Sequence, residues 1–462
     1  MQKTLELFQR ISTNLLEQEK ESPTSEYIST EKLYETLDLN LKEDPLSEEE
    51  FEATLQELVF ATPKTGTSTF FNQLFGGRNE KAVLGDLLAV LLNNSMYTYK
   101  AAGAQVGVEK SVLSQVCRII GWDENADGTF ASGGSMTNLM SMIMARDAVA
   151  ETVKNTGVQG KMMVYTSVDS HYSIPKNASF CGIGRNQVCY IKTNTKGQIN
   201  VLDLARQVEE DIEQGFTPTL VNLTAGTTVL GAFDDVRAVK NICSKYNIWL
   251  HLDGAYCGSV LLSRKYRHLI DGVELVDSFS FNAHKMIGTP LTCSLIVVKN
   301  KKHLFDSFSN EANYLYQAED DHFNLGKTSM QCGRRNDALK FWTLWKSVGT
   351  LGLEKIVDKQ FELADYARTY IENNENYTLH SYEESISVCF NYKGVSAKKI
   401  CTALYENSEL LVGFGNVKNQ KFVRLVTINA QNSKDDILNF FKTLEVFVDH
   451  NMVVKKEAQF IS

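Results

Sequence analysis

The chain has 462 residues, of which 43% are hydrophobic and 22% charged, enough apolar material for a sizeable core and more than one compact lobe. Its formal net charge of −9 argues against nucleic acid as a main partner, because phosphate binding needs a concentrated basic face. No apolar run approaches the roughly 18 residues that span a bilayer, so no membrane association is expected.

The opening stretch MQKTLELFQRISTNLLEQEK mixes charges of both signs with apolar residues at helical spacing. It lacks the apolar centre and small-residue cleavage site of a secretory signal, and a cytoplasmic chain is expected. Residues 1–75 are helix-friendly and polar, broken by EDPLSEEE and by TPKTGTST, and predict a helical arm. Over 76–350, MMVYTS, CYI, TLVNLTAG, IWLHLD, SFSF and SLIVV read as strands, with LDLARQVEEDIEQG and DDVRAVKNICSKYN as amphipathic helices between them. That alternation predicts an α/β domain with a mostly parallel sheet covered by helices on both faces. A long helical stretch around 336–373 leads into a smaller α+β lobe over 351–462, with SVCFNY and KFVRLVTI as strands. Nine scattered cysteines without CxxC spacing suit free thiols, not a disulfide framework or a metal site. The basic cluster Arg264-Lys265-Tyr266-Arg267-His268 reads as a solvated helix surface.

In a parallel sheet the carboxyl ends of the strands open onto the ligand crevice, so polar residues just after apolar strands carry the chemistry. Ile248 to Leu252 runs straight into Asp253, followed by the small residues Gly254 and Ala255, and Lys285 stands just after the strand Ser278 to Phe281. A lone Asp at a strand end is usually a turn or capping residue, but the pair suits pyridoxal 5′-phosphate (PLP). A lysine amine holds PLP as a Schiff base, and a carboxylate beside the pyridine nitrogen keeps that nitrogen protonated, so the ring accepts electrons when a bond to Cα breaks. His171, after MMVYTS, supplies a flat group above the ring, and Ala255 a small one below. Ser132-Gly133-Gly134-Ser135-Met136-Thr137-Asn138, opening an apolar helix, suits the phosphate, although a Gly/Ser turn before a helix is also a common structural device.

The stretch HLDGAYCGSVLLSRKYRHLIDGVELVDSFSFNAHK, together with LTAGTTVLGAFD, FFNQLF, SMYTYK and MQCGRR, resembles the group II PLP-dependent decarboxylases, and within them the glutamate and cysteine-sulfinate decarboxylases. The likeness runs from about residue 70 to the C-terminal helix, with the motifs in the expected order. It implies a fold type I enzyme: an N-terminal arm, a large domain on a mostly parallel, seven-stranded type of sheet, and a small C-terminal domain. The family assembles as a homodimer with active sites at the interface. Carried over by position, the resemblance makes Lys285 the Schiff-base lysine and Asp253 the pyridinium partner, with His171 stacked on the ring and Ala255 beneath it. It puts Gly134, Ser135 and His284 around the phosphate and Thr227 near the ring hydroxyl. The family's Asn-Pro-His-Lys is here Asn282-Ala283-His284-Lys285, which removes a backbone constraint but no catalytic atom.

The reaction so implied is α-decarboxylation of an acidic L-amino acid, namely aspartate, cysteine sulfinate or glutamate, to the amine and carbon dioxide. Arg424 in Lys-Phe-Val-Arg-Leu-Val matches the family arginine that holds the α-carboxylate, and without that resemblance it would read as a strand-surface arginine. For the side chain the relevant segments contain Gln73, Ser95 and Tyr97. The Ser-x-Tyr pattern resembles the cysteine-sulfinate enzymes and favours a short acidic side chain, unless Tyr97 simply packs. The loop over 317–326 departs from the family: no tyrosine stands where relatives carry their proton donor, and His322 is either its replacement or an exposed loop residue. Two alternatives keep the cofactor. One is a diaminobutyrate-type decarboxylase, with Glu319, Asp320 or Asp321 meeting a side-chain ammonium; the other is an aldehyde synthase or transaminase.

Overall fold

The computed structural model describes residues 1–21, 24–310 and 321–453. Its large sheet is built from β1 (Asp127–Ala131), β2 (Met162–Ser167), β3 (Val188–Ile191), β4 (Thr217–Thr224), β5 (Trp249–Gly254), β6 (Ser278–Asn282) and β7 (Ser294–Val298), in the order β1-β7-β6-β5-β4-β2-β3. Strands β3, β2, β4, β5 and β6 pair in parallel. SLIVV forms β7, which runs antiparallel to both β6 and β1. The short link from β6 to β7 contains Lys285 and no helix, so the chain cannot cross over and must turn back.

Alternation within the central strands separates two environments. Leu250 and Leu252 of β5 and Phe279 and Phe281 of β6 enter one apolar core, shared with the Ala104–Ile120 helix. The opposite face of these strands carries Trp249, His251 and Asp253, then Ser278, Ser280 and Asn282, with His251 opposite Ser278 and Asp253 opposite Ser280. The helix Gly134–Val149 covers that face, packing on β4, β5, β6 and β7. The central sheet is therefore oily on one side and meets the covering helix through a polar seam.

The small sheet comprises β8 (Tyr377–Leu379), β9 (Ser387–Tyr392), β10 (Gly413–Val417) and β11 (Gln420–Val426), all antiparallel in the order β10-β11-β9-β8. Phe390, Phe440, Phe441 and Leu444 fill the core between this sheet and the Lys434–Val448 helix. The helical stretch Ala338–Glu372 breaks at Gly349 (φ 66°), a conformation that favours glycine. In the Arg264–His268 cluster the charges of Arg264, Lys265 and His268 are solvated as expected, but its aromatic residue turns inward. Tyr266 is buried and stacks on Phe361 at 3.8 Å, Arg264 pairs with Glu354, and His268 pairs with Glu384. The segment thus ties the large sheet's domain to the C-terminal elements, because its aromatic anchor points inward while the charges reach partners across the seam.

Candidate active site

Five chain segments leave the sheet at one edge, and each contributes a predicted residue. Beyond β1, Gly133 takes φ 144° and Gly134 opens the covering helix. A side chain at Gly134 would come within 2.9 Å of Cβ of Ala255 and 3.1 Å of Nδ2 of Asn282, so only glycine lets the helix start lie against the ends of β5 and β6. His171 and Ser173 follow β2, Thr227 follows β4, Asp253 lies near the end of β5, and Lys285 follows β6. Parallel pairing is what gathers these segments at one end.

Asp253 is 4% exposed, and both its carboxylate oxygens have N–H donors: the Ala255 amide to Oδ1 at 2.9 Å and Nδ2 of Asn138 to Oδ2 at 2.7 Å. Lys285 is pushed below its ordinary value by burial, with Asp253 and Cys257 opposing that shift and Arg424 adding to it. Its Nζ lies 5.9 Å from the Tyr256 ring centroid, and no hydrogen bond or ion pair of this amine is found among the described residues. His171 is likewise lowered by burial, and it feels both Asp253 and Lys285. Its Nδ1 receives the Ser173 amide at 3.2 Å and lies 2.8 Å from the Ser173 hydroxyl. His284 is buried and pushed down to about 4, chiefly by desolvation and then by Lys285, while its Nδ1 accepts from the Cys293 amide at 2.9 Å. Thr227 is buried, its hydroxyl accepting from the Ala232 amide at 3.0 Å. Ser135 presents its carbonyl to Asn177 at 2.9 Å.

Arg424 enters from β11 of the small sheet. It donates from Nη1 to the Thr228 carbonyl at 2.8 Å and from Nη2 to the Asn72 carbonyl at 3.0 Å, leaving Nε buried without a partner among the described residues. Arg424, Asn72 and Gln73 line a cleft of about 550 Å³, and His171 and Thr227 line a second of about 300 Å³ with Tyr382 and Asn416. Thr228, next to Thr227 on the wall of the second cleft, is the residue that Arg424 grips from the first.

Ser95, Tyr97 and His322 form a different group. The Ser95 hydroxyl accepts the Arg334 amide at 3.2 Å, and the Tyr97 carbonyl accepts the Gly326 amide at 2.7 Å. His322 sits in the exposed turn Asp321–Phe323, edge-on to Phe305 at 5.9 Å, and the adjacent Phe323 packs on Tyr99 at 5.8 Å. Phe305 belongs to the helix Lys302–Phe308, whose His303 packs on Trp249 at the start of β5, the opposite end from Asp253. Within one protomer His322 is therefore not brought to Lys285. Glu319 and Asp320 lie outside the described residues, as does the side chain of Asp321.

His251 and Ser173 were given no role by the sequence, and Asn138 was read only as part of the phosphate segment, whereas its amide reaches Asp253, Ser173 and His251. Their signal was present as period-2 polarity in the apolar strands WLHLDG and SFSFN and as Asn138 and Ser141 one helical turn apart, facing that stripe.

A half-buried lysine, a doubly anchored carboxylate and an imidazole, gathered where parallel strands end beside a glycine-opened helix, define the class of fold type I PLP enzymes. Residues 30–393 match the pyridoxal-dependent decarboxylase conserved domain, and the chain belongs to that family. It is 34% identical over 436 residues to the acidic amino acid decarboxylase GADL1 of Bos taurus, covering 89% of this chain and 84% of the relative. It is 37% identical over 371 residues to the cysteine sulfinic acid decarboxylase of Mus musculus, covering 79% and 75% respectively. The crystal structure of mouse CSAD superposes with a TM-score of 0.91 at 31% identity, covering 96% of this chain and 98% of that one. The protein is a PLP-dependent amino-acid decarboxylase, and among the described residues no helix is long and apolar enough to cross a membrane.

Proposed function

We propose that this decarboxylase acts on a short acidic L-amino acid, aspartate or cysteine sulfinate ahead of glutamate. The Ser95-x-Tyr97 pattern carries this reading, while Arg424, a guanidinium on a cleft wall whose Nε is buried and unpaired among the described residues, offers a partner for the α-carboxylate. Relatives named for acidic amino acids and cysteine sulfinic acid support the same class.

The residues around Lys285 fit PLP. Lys285 is a partly desolvated amine with no hydrogen bond or ion pair among the described residues, Asp253 is an oriented carboxylate, and Oδ1 of Asn282 is buried without a partner among those residues beside the start of the Gly134–Val149 helix. In the proposed assignment Lys285 holds the cofactor, Asp253 faces its pyridine nitrogen, and His171 and Ala255 flank the ring. Gly134, Ser135 and His284 surround the phosphate, and Thr227 lies near the ring hydroxyl. Bound there, PLP supplies an electron sink for the pair left behind when carbon dioxide departs. Burial keeps the Lys285 amine closer to its neutral, nucleophilic form. Asp253 supplies fixed negative charge, and Arg424 orients the α-carboxylate, so that the bond to be broken is chosen by position. With Nδ1 engaged by Ser173, His171 carries its proton on Nε2 and remains neutral near pH 7.

The assembly follows from surfaces that one protomer leaves bare. Leu84, Leu87, Leu88 and Leu91 form a helical stripe on Glu80–Leu92, each at least 38% exposed, and the N-terminal helix adds exposed Leu5, Phe8 and Leu16. A second copy of the chain is the proposed cover. In such a homodimer Ser95, Tyr97 and His322 of one subunit complete the site around Lys285 of the other, His322 being the proposed proton donor to Cα. Light scattering should give twice the mass of the chain; a protomer mass at micromolar concentration counts against this assembly. The free thiols of Cys117, Cys181, Cys243 and Cys293 agree with the proposed reducing, cytoplasmic setting.

Carbon dioxide release from aspartate, cysteine sulfinate, glutamate and diaminobutyrate tests the substrate. The expected order places the two short acids above glutamate by about tenfold in kcat/KM, one methylene's worth of discrimination. Turnover of diaminobutyrate alone would sink the acidic reading, and aldehyde with ammonia in place of amine would favour the aldehyde-synthase alternative.

A further inference from the structure

Beneath the proposed cofactor site runs a buried hydrogen-bond chain that the reaction chemistry does not require by itself. Trp249 Nε1 donates to the Ser278 hydroxyl at 2.9 Å. Ser278 Oγ lies 2.8 Å from Nδ1 of His251, and His251 Nε2 lies 3.2 Å from Oδ1 of Asn138. Nδ2 of Asn138 then divides, reaching Asp253 Oδ2 at 2.7 Å and Ser173 Oγ at 3.1 Å. Ser173 Oγ ends the chain 2.8 Å from Nδ1 of His171. Trp249, Ser278, His251, Asn138, Asp253 and Ser173 are all buried.

One assignment of hydrogens satisfies this chain. An indole is only a donor and a carboxylate only an acceptor, so direction is imposed from both ends. Asp253 accepts, hence the amide nitrogen of Asn138 faces it and the amide oxygen faces His251. His251 must then carry its proton on Nε2, and Nδ1 accepts from Ser278, the closer contact at 2.8 Å, while the Ser278 carbonyl is at 3.2 Å. Ser173 accepts from Asn138 and so gives its own proton to His171. Reversing the amide would set its oxygen against the Asp253 carboxylate and leave Ser173 without its donor.

We infer that Asn138 is a positioning residue: its single amide, which donates to both Asp253 and Ser173 and accepts from His251, aligns Asp253 and His171 together. The two groups proposed to act on PLP, one at the ring nitrogen and one on its face, are thereby set by a common support. The groups that link Asp253 and His171 are buried, so the alignment is present before any ligand enters. The inference rests on the proposed assignment of Asp253 to the pyridine nitrogen.

The test uses the holoenzyme reconstituted with nitrogen-15-labelled PLP, reading the protonation of the ring nitrogen by NMR alongside PLP affinity. Asn138→Asp keeps the shape but sets two carboxylates against each other, so they share a proton and Asp253 loses its full charge. The expected result is loss of the pyridinium signal and about ten- to a hundredfold weaker PLP binding, the range for losing one charge-assisted hydrogen bond. Ser173→Ala cuts only the other branch and should retain the pyridinium signal while shifting the pH profile of turnover. If Asn138→Asp does not fold, Asn138→Leu carries the same test, since it keeps the size of the side chain and removes the amide that donates to Asp253. A retained pyridinium signal with PLP affinity within twofold of the parent, in whichever of these two variants folds, overturns the inference. Asp253→Asn separates the two claims. If it too retains the pyridinium signal, the assignment of Asp253 has failed; if it alone loses the signal, only the role of Asn138 has.

Discussion

Replacing Lys285 by alanine is expected to lower kcat by on the order of a thousandfold or more, because its amine is the group proposed to attach the cofactor and to give it up to the substrate. The substitution removes a desolvated amine for which no ion pair is found among the described residues, so it should leave stability unchanged or raise it slightly. Two measurements separate these effects: carbon dioxide release under saturating PLP, and the urea midpoint of the apo protein. Borohydride treatment followed by mass spectrometry should fix PLP to the parent chain and not to the variant. Turnover within tenfold of the parent would remove Lys285 from the centre of the site.

The second large effect is expected at an ion pair outside the residues assigned to PLP. Arg334 and Glu109 form a bidentate pair at 2.8 and 2.9 Å, with side chains 3% and 0% exposed. The Arg334 backbone is bonded on both sides to the segment of Ser95 and Tyr97, its amide to the Ser95 hydroxyl and its carbonyl to the Met96 amide at 2.9 Å. Glu109→Leu leaves a guanidinium buried without a counter-charge and should cost about 3–5 kcal/mol in unfolding free energy. KM should rise with it, since the segment proposed to recognise the side chain loses its anchor. Combining Glu109→Leu with Arg334→Met should recover much of the stability, because both charges are then gone, but not the KM. A loss below about 1 kcal/mol in the single variant would mean that water or a shifted side chain compensates the arginine.

How much of the molecule was legible in the sequence depended on the range of the interaction. The strands MMVYTS, TLVNLTAG, IWLHLD and SFSF were visible because burial on both faces of a parallel sheet makes nearly continuous apolar runs. DGTFA gave no such signal: β1 is short, begins with Asp-Gly, and is a strand only because β7 pairs with it. The basic cluster at Arg264 looked like a solvated surface because neither Phe361 nor Glu354 is near it in sequence. His251 was read as part of an apolar strand, although its alternation with Leu250 and Leu252 already set it on the face of Asp253.

By itself the sequence determined the order of the parts: an alternating α/β domain, polar residues at the ends of its strands, and the lysine, aspartate and histidine whose chemistry suits PLP. These follow from local periodicity and residue type, which are properties of neighbouring positions. Only the tertiary structure decided which distant residues share a hydrogen bond. It joined Asn138 to His251 across the sheet–helix seam, set Arg424 of the small sheet on the carbonyl of Thr228, and grouped Tyr97 with the His322 turn away from Lys285. Such partners are chosen by strand register, helix packing and the closing of one domain on another, and no window along the chain contains both members of the pair.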